Sequence, residues 1–151
     1  MKFTKKDLNK TLWVKPDELV KDRKWYKINA DGKTLWRMAV VIARILLGKN
    51  KAHYSDFRDA GDFVIVENVE KMKFTGNKLL SKPYYSYSWF KWNLKTILLG
   101  DLMKKNPAKV LELAVRWMLA RNKLRDKRMM RLKVTKWPST KYDNFKPINI
   151  K

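Results

Sequence analysis

The spacing of apolar residues predicts two long helices. Between residues 34 and 47 the apolar side chains recur at helical spacing, at Leu35, Met38, Ala39, Ile42, Ile45 and Leu46. Thr34 suits the N-cap of this helix and Gly48 its left-handed C-cap. A second helix is predicted to begin at Pro107, because proline is favoured in the first helical turn. Its buried side would consist of Val110, Leu111, Ala114, Val115, Met118 and Leu119.

Shorter runs between these helices predict strands at residues 25–30, 63–66, 84–89 and 132–135. Residues 96–105 are predicted to form a further helix, residues 49–62 a loop, and residues 75–78 (TGNK) a turn. Strands that alternate with helices favour parallel pairing, and therefore the α/β class. We predict one α/β domain at residues 25–136, a basic N-terminal tail at residues 1–24 and an extended C-terminal tail at residues 137–151.

The charge of the chain points to a polyanionic partner. Lysine and arginine number 36 against 14 acidic residues, which gives a formal net charge of +22. Such an excess repels itself in a compact monomer, although 45% hydrophobic residues are enough for a core. Nucleic acid is the first candidate and an anionic membrane the second. No apolar run approaches the length of a membrane span, and Asp7, Asp17, Glu18 and Asp22 in the first segment argue against a secretory or organellar leader.

The densest run of cations lies at residues 121–136, RNKLRDKRMMRLKVTK, with eight cations and one acid. Phosphates would relieve the repulsion within this run, and arginine forks suit phosphate oxygens. The alternative is a solvated basic face. Leu124, Met129, Met130 and Leu132 would tether the segment to the core. We expect its cations to point outward, namely Arg121, Lys123, Arg125, Lys127, Arg128 and Arg131.

An aromatic cluster, YYSYSWFKW at residues 84–92, is interleaved with Lys82, Lys91 and Lys95. Aromatic rings beside cations can stack on bases. The same rings could equally face a core, and the sequence leaves both interpretations open.

Catalytic chemistry has weak support in the sequence. Gly32-Lys33-Thr34 resembles the end of a phosphate-binding loop, but Lys27 stands where that loop needs its first glycine. His53 is followed by Asp56, Asp59 and Asp62, which could form an acid–base or metal site or an exposed loop paired with cations. The chain has no cysteine. We therefore predict no catalytic residue, metal, cofactor or small-molecule substrate.

Several blocks in series carry a family resemblance. WYKINADGKTL, GKNKAHY, GDFVIVENVEKMKFTGNK, PAKVLELAVRWML and RLKV occur in this order. Together they resemble the bacterial-type large-subunit ribosomal protein thirteen (L-thirteen) family, over roughly residues 12–150. The resemblance implies a three-layer α/β/α sandwich around a small, mostly parallel four-stranded sheet.

The same resemblance implies a function. It implies a structural constituent of the large ribosomal subunit that binds and organises large-subunit ribosomal RNA early in assembly, beside neighbouring large-subunit proteins, with no catalysis. We expect a cytoplasmic ribosome and leave an organellar one open. A free RNA-binding translational regulator with the same basic surface is the alternative function.

Carried over position by position, the resemblance implies RNA contacts at Arg37, Lys49, Lys51, Thr75, Asn77, Lys78, Arg121, Arg128 and Lys133. Arg116 stands where the family usually has another cation, and Arg44 lies two helical turns from Arg37. Two segments depart from the family pattern. Tyr54-Ser55-Asp56 replaces a common H-T-P, and LARNKLRDK replaces a segment that usually begins M-L-P.

The tryptophans form an unusual pattern. Five of the seven fall where the family has glycine, at Trp36, Trp89, Trp92, Trp117 and Trp137. The chain has 5 glycines, whereas ordinary usage of ~7% would give roughly ten. We hypothesise that these codons are UGA, read as glycine in the source lineage. The competing hypothesis is genuine tryptophan that replaces lost RNA contacts.

Overall fold

The computed structural model describes residues 15–150 and contains six α-helices, six strands and two short 3₁₀ turns in that range. The helices are α1 (Pro16–Lys21), α2 (Leu35–Leu47), α3 (Lys78–Ser81), α4 (Leu99–Lys105), α5 (Pro107–Met118) and α6 (Leu124–Met130). The strands are β1 (Trp25–Asn29), β2 (Phe63–Glu67), β3 (Pro83–Tyr87), β4 (Leu94–Leu98), β5 (Leu132–Val134) and β6 (Ile148–Ile150). The 3₁₀ turns are Val69–Lys71 and Asp143–Phe145.

Four strands form one sheet in the order β5-β2-β1-β6, and all of its pairings are parallel. Trp25 pairs with Phe63 and Ile28 with Val66, which places β1 and β2 in register at the centre. Helix α2 connects these two strands. The predicted α/β class and parallel four-stranded sheet are confirmed.

One face of the sheet is covered by α2 and α5, which also contact each other. Ile28, Val64 and Val66 point to this side and share one core with Ile42 and Leu111 of the two helices. The predicted helices at residues 34–47 and from Pro107 are thus confirmed. Met118, predicted to be buried, is only partly buried, because α5 ends at this residue.

The other face is covered by the C-terminal segment. The Trp25 ring stacks on Phe63 with centroids 4.2 Å apart and on Phe145 at 4.3 Å. Lys27 Nζ reaches Glu67 at 2.9 Å and Asp143 at 3.4 Å. The described part of the segment expected to form an extended tail, residues 137–150, therefore packs on the sheet and supplies its edge strand β6.

A separate two-stranded antiparallel sheet pairs β3 with β4. The helix predicted at residues 96–105 is wrong in its first turn, because Thr96, Ile97 and Leu98 belong to β4 and the helix begins at Leu99. Tyr84 lies opposite Ile97 and Tyr85 opposite Thr96. Pairing with β3 outweighs the local helical pattern in this segment.

The N-terminal tail predicted at residues 1–24 falls partly outside the described residues. Its described part contains α1, of which Leu19 is buried. The cationic run at residues 121–136 forms α6 and then β5. The sequence pattern did not predict α6.

Candidate nucleic-acid interface

The outer side of α2 presents a row of cations. Arg37 and Arg44 are exposed two turns apart, with exposed Val40 and Val41 between them. The buried apolar residues of α2 occupy the opposite side, so the arginines cannot turn inward without exposing the core. Gly48 ends the helix in the left-handed conformation at φ 81° and leads to exposed Lys49. Arg37, Arg44 and Lys49 therefore face solvent.

The loop that follows is held tightly against the end of α2. A Cβ on Gly61 would lie 1.8 Å from the Leu46 carbonyl oxygen, and one on Gly48 would lie 2.9 Å from the Ala60 backbone. Lys51 Nζ lies 2.8 Å from Asp62 Oδ1 and donates to the Asp22 carbonyl oxygen at 2.8 Å. The Lys51 side chain is only 9% exposed, so this cation fastens the loop instead of extending into solvent.

The turn after the 3₁₀ segment at Val69–Lys71 carries three of the expected residues. Gly76 has φ 66°, which gives the turn its reversal. Thr75 and Asn77 are exposed, and Lys78 Nζ donates to Thr75 Oγ1 at 3.1 Å. These polar groups are available to an external ligand at the start of the β3–β4 hairpin.

In the β3–β4 hairpin most rings of the aromatic cluster are exposed to solvent and do not face the core. Tyr85, Tyr87 and Phe90 are exposed, and Tyr84 is partly buried against the core. Residues 71–100 contain six lysines and no acidic residue. Most of the rings therefore lie on a cationic surface with no carboxylate of its own segment to neutralise it.

A third group of cations meets where α5 ends and α6 begins. A groove of about 620 Å³ is lined by Leu113, Arg116, Trp117, Leu119, Arg121 and Arg125. Arg116 lies 3.6 Å from Asp126, and both side chains are more than half exposed, so the pair neutralises little of the local charge. Exposed Lys123 and Lys127 extend this group along α6.

Two of the expected outward cations are buried. Arg128 is 1% exposed and Arg131 is 5% exposed. Arg131 donates through both terminal nitrogens to Asp59, at 2.6 and 2.5 Å. Arg128 donates to the carbonyl oxygens of Asp56 and Arg58, at 3.4 and 3.2 Å. The expectation that Arg128 and Arg131 point outward is wrong, because they bind the loop of residues 49–62 from within.

Lys133 occupies the middle of β5, next to Ile65 of β2, and is partly buried. It lies on the sheet face that is covered by the C-terminal segment, away from the cations of α2. The expected contact residues are therefore distributed over several surfaces, and the structure does not gather them into one patch.

The His53 loop does not assemble an acid–base site in the part of the chain that is described. His53 Nε2 lies 3.6 Å from Asp22, while Asp59 and Asp62 are engaged by Arg131 and Lys51. Asp56 accepts a hydrogen bond from the Tyr54 hydroxyl, which raises the pKa of Tyr54. Within residues 15–150, no group of three His, Asp or Glu side chains is placed to hold a metal ion. No helix in this range is both long and apolar enough to cross a membrane.

The backbone at two tryptophans has the conformation of glycine. Trp89 has φ 62° and Trp92 φ 64°, and their side chains are 92% and 91% exposed. The Asn93 N–H donates to the Phe90 carbonyl oxygen at 3.1 Å, so Trp92 is the third residue of a β-turn. Glycine is favoured there when φ is positive. Trp36 differs, because it lies within helix α2. Lys82 Nζ is 3.8 Å from the centre of its ring.

Sequence reasoning missed two cations that the fold brings together. Arg23 donates to Asp59 Oδ2 and to the Asp59 carbonyl oxygen, both at 3.3 Å. Arg58 lies in the same loop as Asp59. It lines the same pocket as Arg23. The available signal was the acid Asp59, which follows Arg58 directly in a chain with 36 cations and 14 acids.

Comparison with known proteins agrees with this architecture. The family profile described as ribosomal protein L13 matches residues 23–136. The large ribosomal subunit protein uL13 of Thermotoga maritima is 41% identical over 140 residues, which cover 93% of each chain. That of Aquifex aeolicus is 43% identical over 138 residues, 91% of this chain and 94% of its own. That of Coxiella burnetii is 47% identical over 111 residues, 74% and 78% of the two chains. With a profile match over most of its length and relatives this similar, the chain belongs to the ribosomal protein L13 family.

Proposed function

We propose that this protein is a structural constituent of the large ribosomal subunit that binds and organises large-subunit ribosomal RNA. As a member of the L13 family it is a ribosomal protein and not an enzyme. Its relatives are named as proteins of the large ribosomal subunit, which supports the same place for this chain. We also propose neighbouring large-subunit proteins as partners and a ribosomal, cytoplasmic location.

The observation that carries the proposal is the distribution of cations over the surface of the fold. Arg37, Arg44 and Lys49 line α2, and the hairpin segment has lysines without acids. Arg116, Arg121, Lys123, Arg125 and Lys127 surround the start of α6. Thr75, Asn77 and Lys78 add donors at the base of the hairpin. Cations on several sides suit a protein surrounded by folded RNA, since each surface can meet different phosphates.

Sedimentation tests this function. We expect the chain to cofractionate with large subunits in stoichiometric amount and to leave them as salt is raised, because phosphate contacts release counterions. A chain found mostly in light fractions, bound to messenger RNA, would support the free regulator and contradict the structural role.

A further inference from the structure

A pocket of about 650 Å³ lies between α1, the loop of residues 49–62 and α6. Its volume falls within the ~300–1,000 Å³ usual for sites that hold a small molecule or a single residue of a polymer. Four cations line it, namely Arg23, Arg58, Lys127 and Arg131. Asp59 is the one acidic residue of its lining in the described chain.

The charges beneath this pocket are unbalanced. Arg23, Arg128 and Arg131 all approach the carboxylate of Asp59, with Arg128 Nε at 3.8 Å. The Asp62 carboxylate also acts on Arg23, and Lys51 pairs with Asp62 at 2.8 Å. These four cations therefore face the two carboxylates of Asp59 and Asp62, which leaves a formal excess of two positive charges. The Nε atoms of these three arginines are buried and have no hydrogen-bond partner within residues 15–150. An anion in the pocket would offset this excess.

The pocket also has an apolar and aromatic side. Phe57 is 72% exposed although it lines the pocket, and Met130 beside it is also exposed. The Arg58 guanidinium lies 5.2 Å from the centre of the Phe57 ring. A ring with an adjacent guanidinium is a platform on which unpaired bases stack. An inorganic anion alone would not use the ring.

We propose that this pocket binds one unpaired nucleotide of ribosomal RNA, with its base on Phe57 and its phosphate on Lys127 and Arg58. The inference rests on the proposed RNA-binding function and deepens it by naming a site that reads an extruded base. The pocket combines cations with the exposed ring of Phe57. The ring favours a nucleotide over an acidic peptide of a neighbouring protein, because only the nucleotide has a base to stack on it.

The first experiment uses adenosine monophosphate as the probe on the full chain, with methyl-labelled Met130 observed by NMR. We expect the probe to shift the Met130 signal. Phe57→Ala should weaken binding about 5- to 150-fold, which corresponds to ~1–3 kcal/mol per stacked base. Lys127→Gln should also weaken it. The controls, Phe145→Ala and Lys105→Gln, alter an exposed ring and an exposed lysine that do not line the pocket, and they should bind as the parent does.

Inorganic phosphate separates the two parts of the ligand. If phosphate binds as tightly as the nucleotide and Phe57→Ala has no effect, the base site is refuted. Photocrosslinking of large subunits provides the second readout. The peptide that contains Phe57 should carry RNA, and a crosslink to a protein segment instead would overturn the inference in favour of an acidic peptide. A parent chain that binds ribosomal RNA while the Phe57 and Lys127 variants match their controls refutes only this inference. A parent chain that binds no ribosomal RNA refutes the proposed function.

Discussion

The substitution Trp92→Gly tests the conformation of the hairpin loop. Trp92 sits at φ 64° with its side chain 91% exposed, so its removal costs little burial. A left-handed conformation costs an L-residue about 1–2 kcal/mol. Glycine removes that cost, but it adds ~0.4–1 kcal/mol of entropy to the unfolded chain. We therefore expect Trp92→Gly to be neutral or to stabilise the protein by up to about 1.5 kcal/mol.

Urea unfolding followed by circular dichroism measures this change, and thermal unfolding should show a Tm that rises by ~2–4 °C per kcal/mol for a chain of this size. Trp117→Gly is the matched control. Trp117 is equally a surface tryptophan, but it lies inside α5, where glycine is unfavourable by up to ~1 kcal/mol. The two substitutions should have opposite signs.

A loss of stability in Trp92→Gly as large as that in Trp117→Gly would refute the reasoning. It would mean that the indole makes contacts that outweigh the strain of its backbone. Trp89→Gly is a less direct test, because the Trp89 ring lies 6.2 Å from that of Tyr87 and would lose this contact.

Four further predictions follow from the core, the charges and the coding sequence. Ile42→Ala and Leu111→Ala, both at fully buried positions, should each lower the free energy of unfolding by about 2–5 kcal/mol in urea titrations; a loss below about 0.5 kcal/mol would contradict the assigned core. Asp59→Asn should cost about 3–5 kcal/mol because it leaves buried guanidinium groups unpaired, whereas Asp126→Asn, at an exposed pair, should cost ~0–1 kcal/mol; equal losses in the same titration would refute the buried cluster. Replacement of Arg121, Lys123 and Lys127 by Gln should preserve folding and make the salt dependence of ribosomal RNA binding shallower by about three units in filter-binding assays, and an unchanged slope would place the interface elsewhere. Sequencing of the gene should show UGA at Trp36, Trp89, Trp92, Trp117 and Trp137 and UGG at Trp13 and Trp25; UGG at the first group would end the recoding hypothesis.

The spacing of apolar residues was sufficient to predict a helix such as α2, whose own sequence favours it. Helix α2 was predicted within one residue of its observed start, because its apolar spacing and the left-handed C-cap at Gly48 agree. Strand β4 was missed because Ile97, Leu98 and Leu99 fit a helix as well as a strand. Pairing with β3 makes this segment a strand. The spacing of neighbouring residues does not reveal a pairing across the hairpin.

The burial of Arg128 and Arg131 was missed for a related reason. Leu124, Arg128 and Arg131 recur at helical spacing, with Arg131 directly after the end of α6, and this side faces the loop of residues 49–62. An arginine on such a side needs a buried acid, and Asp59 lies 72 residues away from Arg131 in the sequence. The count of charges does not distinguish the cations of the run from one another. In the fold, Arg128 and Arg131 bind the loop of residues 49–62.

The strand order of the sheet has a consequence for how the chain is made. Both inner strands, β1 and β2, precede both outer strands in the sequence. During synthesis from the N-terminus the β1–α2–β2 unit emerges first, and at ~5–20 residues per second the segment before β5 takes several seconds more to appear. The central pair must therefore wait with both of its edges unpaired. Moreover, Arg128 and Arg131, which engage the loop of residues 49–62 and its Asp59, emerge only just before β5. Until residues 121–136 emerge, the nascent protein therefore has unpaired edges on β1 and β2 and a loop at residues 49–62 that no arginine holds. Chaperones or RNA have the greatest access to it during this interval.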